Sequence, residues 1–113
     1  MPMIERATKF YREAIQLESM GRVEDAINRM HKAIELWEEN DQFHSYQASL
    51  FLRVGAVSSA IINLKVALLN NPKNKDARSM LLEAIRIHPF RDPGDGIERS
   101  DRPSVSPSGE LPL

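Results

Sequence analysis

Three histidines, His31, His44 and His88, are the side chains best suited to bind a metal or carry a proton near neutral pH. A zinc site needs three or four ligands that one fold can bring together. His31 has Glu35 one helical turn on, a lone His–carboxylate pair best read as a surface contact. The run Asp92-Pro93-Gly94-Asp95-Gly96 begins like a calcium loop, but Pro103 stands where the closing carboxylate is required. The chain has no cysteine, which excludes disulfides, thiolate zinc sites and cysteine nucleophiles. Neither a GxxxxGK[ST] phosphate loop nor a GxSxG elbow occurs. Glu38-Glu39 and the other carboxylate pairs fall on charge-balanced helical faces, where solvation accounts for them. These residues predict no enzyme, no metal and no cofactor.

The elements that carry them belong to one small domain of 113 residues, 42% hydrophobic and 27% charged. Fifteen basic against sixteen acidic residues leave a net charge of −1, so no positive field gathers nucleic acid or anionic lipid. No apolar run approaches the 18 or more residues of a membrane span, and the charged N-terminus lacks a signal-peptide core. The expectation is a cytoplasmic protein.

Proline divides the chain. None lies between Pro2 and Pro72, and five of the seven fall from Pro89 onward. Residues 89–113, rich in Pro, Gly, Ser, Asp and Arg, have too few apolar side chains to offset the entropy of ordering, which predicts a disordered tail. Its charges sum to −2, and its prolines never form a PxxP pair. Residues 1–88 carry apolar positions at helical spacing instead. Ala7, Phe10, Tyr11, Ala14, Ile15 and Leu17 form one stripe, ended by Met20-Gly21. Ala26, Ile27, Met30, Ala33, Ile34 and Trp37 form a second, after an acidic first turn that suits the helix dipole. Asn40-Asp41 offers N-caps for a third helix that stops at Gly55. A fourth starts near Ser58 and ends at Asn70-Asn71-Pro72. A fifth runs from about Asn74 to His88, since Pro89 pushes its predecessor out of helical geometry. Five helices and no strands are predicted.

The helices repeat. Gly21 to Gly55, Ala26 to Ala60, Ile27 to Ile61, Ala33 to Ala67, Ala14 to Ala48 and Val23 to Val57 are each separated by 34 residues. Small side chains let the rods of a hairpin approach, and glycine permits the turn between them. The spacing of Gly55, Ala60, Ala67 and Pro72 resembles the tetratricopeptide repeat family, and Gly21, Ala26 and Ala33 match it with Glu38 in place of proline. The first-helix signature departs from the family, reading Phe10, Glu13-Ala14 and Leu17, then His44, Gln47-Ala48 and Phe51. The resemblance implies an all-α, right-handed solenoid of antiparallel hairpins, with repeats at 7–40 and 41–74 and a further first helix at about 74–88. The alternative is a three-helix microtubule-interacting-and-transport-like bundle around Tyr11-Arg12-Glu13-Ala14 and Val23-Glu24-Asp25-Ala26. The second unit in the same register counts against it.

The resemblance further implies a protein-binding adaptor or scaffold, with a peptide or partner helix on a concave wall made by the first helix of each repeat. Thr8, Tyr11, Arg12 and Ile15 would line it, followed by Gln42, Ser45, Tyr46, Ser49 and Arg53, then Ser79, Met80, Glu83 and Arg86. Tyr and Arg are favoured in binding hot spots, although Tyr11 and Tyr46 equally suit packing at hairpin junctions. Chaperone-binding members hold a C-terminal carboxylate at positions occupied here by Tyr11, Ile15, Tyr46, Asp76 and Met80. None supplies a charge-assisted donor, so this chain is not expected to be a carboxylate-clamp chaperone binder. The array also stops at a first helix. Ala77, Leu81, Ala84 and Ile85 are expected to face inward, leaving Met80, Leu82 and Ile87 uncovered. A structural subunit that self-associates, as a homo-dimer through this last helix, or completes a larger complex is therefore the alternative reading.

Overall fold

A computed structural model describes residues 2–87 of the chain. Five helices follow one another: α1 (Pro2–Ser19), α2 (Val23–Leu36), α3 (Asp41–Arg53), α4 (Val57–Asn70) and α5 (Lys75–Ile87). The described residues are all-α, and α1 starts about five residues before the expected repeat boundary. Pro2 opens α1 at a position where its missing N–H and fixed φ cost nothing. The expected tail at 89–113 and the helix stop at His88-Pro89 lie outside the described residues.

The 34-residue step is visible in the backbone. Gly21 and Gly55 both adopt φ +80°, the left-handed geometry that ends a helix most cheaply with glycine. In the first turn the Arg22 N–H donates to the Leu17 carbonyl at 2.9 Å, and in the second the Ala56 N–H donates to Phe51 at 2.8 Å. The hairpin-to-hairpin turns repeat as well. The Asn40 side chain accepts from the Phe43 N–H at 3.0 Å, and Asn74 accepts from Ala77 at 2.9 Å. Each asparagine satisfies one of the orphan N–H groups at the start of its helix.

Small residues mark where the rods meet. Ala14, Ala26 and Ala33, and their counterparts Ala48, Ala60 and Ala67, are all fully buried. Met30 and Leu64, also one step apart, are buried between them. Two cores result. Around the first hairpin and α3, Phe43 and Leu50 join Ile27 and Met30, with Phe10, Tyr11, Trp37 and Tyr46 packed on the outside. The second core, between α3, α4 and α5, is aliphatic apart from the Phe51 edge and includes Leu64, Leu68, Met80 and Leu81. Helix α3 lies between the two, which is why six of its thirteen residues are buried.

Among the described residues, helix α5 packs against α4 and α3 on one side only. Ala77 and Ala84 are buried, whereas Leu82 and Ile87 are exposed, as expected. Two expectations are corrected. Ile85 is 43% exposed rather than inward, because among the described residues no further helix covers that face. Met80 is half-buried against the second core, because its side of α5 leans back toward α3.

Candidate functional site

The first helices of successive units place their polar faces around a cavity of about 410 Å³. Tyr11 comes from α1, Gln42, Ser45, Tyr46 and Ser49 from α3, and Asp76 and Met80 from α5. Asp41, Asn71 and Asn74 close the end nearest the α4–α5 turn. Of the nine residues singled out as partner-binding from the sequence, Tyr11, Tyr46, Ser49 and Met80 line this cavity. Arg12, Ile15, Arg53, Glu83 and Arg86 do not. Arg12 and Ile15 are exposed on α1, and Glu83 pairs with Arg86 along α5.

Aromatic packing fixes the α1–α3 wall. The Tyr11 ring stacks on Phe43 with centroids 5.0 Å apart and meets Tyr46 edge-on at 5.5 Å. Trp37 approaches Phe43 edge-on at 5.6 Å. These offset and edge-to-face arrangements suit the ring quadrupoles. The tyrosines pack at the hairpin junction and also border the cavity.

Glu18, which sequence reasoning missed, locks that wall. The Tyr46 hydroxyl donates to Glu18 Oε1 at 2.5 Å, and Arg53 Nη1 donates to Glu18 Oε2 at 2.7 Å. The Tyr46 bond, more than Arg53, holds the Glu18 carboxyl below its ordinary value, against the partial burial that works to raise it. Burial first, then the Glu18 bond and charge, push the Tyr46 hydroxyl above its ordinary value. Tyr46 is thus a fixed neutral donor, and Arg53 uses its charge within the molecule.

The opposite end is held by amides. Asp41 Oδ2 accepts from Asn74 Nδ2 at 2.7 Å and Asn71 Nδ2 at 3.2 Å, and Asn74 Nδ2 also reaches Ser45 Oγ at 3.1 Å. The run Asn70-Asn71-Pro72-Lys73-Asn74 was readable as a helix stop, and its amide donors were the signal for this network. His44 is buried. Its Nε2 lies 2.8 Å from the Glu38 carbonyl. A carbonyl only accepts, so that nitrogen carries the proton.

His31, Ile34, Gln47, Phe51 and Ile62 border a second, smaller cleft of about 230 Å³ between α2 and α4. The Gln47 Oε1 at its base is buried and has no hydrogen-bond partner. Among the described residues no group of three or more His, Asp and Glu side chains is placed to hold a metal ion. No described helix is long and apolar enough to cross a membrane.

Comparison with known proteins adds one likeness. Over 79 residues, 70% of its length, the chain is 28% identical to the mouse (Mus musculus) protein named tetratricopeptide repeat protein 14. The aligned stretch covers 10% of that protein, so this chain spans about a tenth of the length of the curated relative it matches. No family model matches the chain.

Proposed function

We propose that this chain is a non-enzymatic protein-interaction module of tetratricopeptide-repeat type, an adaptor or scaffold working in the cytoplasm. A peptide or partner helix is held on the concave wall of α1, α3 and α5. The observation that carries this reading is the cavity that draws Tyr11, Tyr46, Ser49 and Met80 from three successive first helices. Its aromatic side is ordered by packing and by Glu18 before any partner arrives, which lowers the entropic cost of binding. The name of the mouse relative points the same way. With Asp76 in the wall and no basic residue lining it, an acidic C-terminal chaperone peptide is not the ligand.

A second reading is favoured by one observation: Leu82, 64% exposed, occupies the register position of the buried Ala14 and Ala48. In this reading the open side of α5 seats a further helix, from a second copy or from a larger assembly. Site-specific photo-crosslinking separates the two. A benzophenone side chain at Ser49 is expected to capture a partner that the same group at Asn28, on α2, does not. Capture only from Leu82, with none from Ser49, would transfer the function to the open end.

A further inference from the structure

The chemistry of the concave cavity names the kind of partner it accepts. Two carboxylates, Asp41 and Asp76, line it, together with hydroxyl and amide groups, and no lysine or arginine does. Asp41 is met by the neutral amides of Asn71 and Asn74, which position the carboxylate without cancelling its charge. Asp76 is exposed and forms no ion pair among the described residues. A helix start favours an acid in its first turn, and Asp41 on α3 and Asp76 on α5 both hold that place; what the cavity adds is that it brings the two onto one wall with no lysine or arginine lining it.

Three arginines of α3 and α5 are engaged elsewhere, and Arg12 is exposed on α1 outside the cavity lining. Arg53 pairs with Glu18, Arg86 with Glu83, and Arg78 donates to the Pro72 carbonyl at 2.7 Å. The same wall carries the Tyr11 and Tyr46 rings, and tyrosine is a residue type to which cations are attracted. Tyr46 keeps its proton through its bond to Glu18, so the wall gains no phenolate and its charge stays with the two aspartates.

We infer that the concave cavity selects a cationic peptide, placing lysine or arginine side chains toward the Asp41 and Asp76 carboxylates beside the two tyrosines. This rests on the reading that the concave wall is where a peptide binds. Complementary charge also sets the rate of encounter, so the association is expected to weaken as salt is raised.

Fluorescence polarisation with three labelled dodecapeptides tests it, alternating alanine with lysine, serine or glutamate. The lysine peptide is expected to bind at least tenfold tighter than the glutamate peptide. Asp76→Asn should weaken the lysine peptide about threefold, the effect of one partly exposed ion pair, and Asp76→Lys should reverse the order of the charged peptides. Glu39→Gln, on an exposed acid outside the cavity, should change nothing. Saturable binding without charge preference, with a preference for glutamate, or insensitive to Asp76 overturns the cation inference and leaves the groove standing. No saturable binding of any of the three overturns both.

Discussion

Helices α3 and α5 are the same element met twice, 34 residues apart, with different surroundings. Phe43 and Leu50 of α3 correspond to Ala77 and Ala84 of α5, and all four are buried against the hairpin before them. The next face diverges. Ala48 is fully buried under α4, while its counterpart Leu82 is 64% exposed. Phe51 is partly covered against the core that holds Ala60 and Leu64 of α4, while its counterpart Ile85 stands open. The difference shows that a first helix buries one face against the unit behind it and the other against its own hairpin partner. Among the described residues α5 has only the former.

The largest contrast is expected from truncating leucine on the two helices. Leu50→Ala should cost about 2–5 kcal/mol, the range for opening a cavity in a packed core. Leu82→Ala should stay within about 0.5 kcal/mol, as for a surface position. Urea unfolding of both variants reads the comparison directly, and equal losses would break it.

Moving residues of α5 into α3 sharpens it. Ala48→Leu installs the side chain of Leu82 where α3 meets α4, and overpacking there should cost about 1–3 kcal/mol in thermal unfolding. Gln47→Leu, which installs the counterpart Leu81, should act in the opposite sense. It removes the unpartnered buried Oε1 and is expected to raise stability by about 1 kcal/mol in the same assay.

The smallest effect concerns how each junction is tied. Between α1 and α3 the tie is Glu18 with Tyr46 and Arg53, whereas the α3–α5 side uses Asp41 with Asn71 and Asn74. The Glu18 carboxyl titrates below its ordinary value of 4.5 in the folded state. Its contribution is therefore complete above that value and is lost as the pH falls through the lower, folded one. Glu18→Gln should cost about 0.5–1 kcal/mol at pH 7, since the pair is partly exposed. The gap from the unsubstituted protein should close in unfolding curves taken at progressively lower pH.

The scaffold was legible because the residues that make it recur. Alanines at rod contacts, glycines at left-handed turns and asparagines at helix starts each leave the same mark twice in one chain. The wall was legible only in part. Tyr11, Tyr46, Ser49 and Met80 follow from register, but Glu18 reaches partners 28 and 35 residues away, and one step on its place is taken by Leu52. A contact made once has no period to reveal it. Ile85 was misplaced for the opposite reason, since its spacing is that of a covered position and periodicity does not say whether the covering helix is there.

In the proposed function the partner is received by the wall shared between α1, α3 and α5, not by the open side of α5. The most direct measurement is an amide chemical-shift titration of the labelled protein with the lysine–alanine dodecapeptide. The predicted result is saturable shifts at Tyr11, Tyr46, Ser49, Asp76 and Met80, with Leu82 and Ile85 unmoved. Shifts concentrated at Leu82 and Ile85, or none at any concentration, would contradict it.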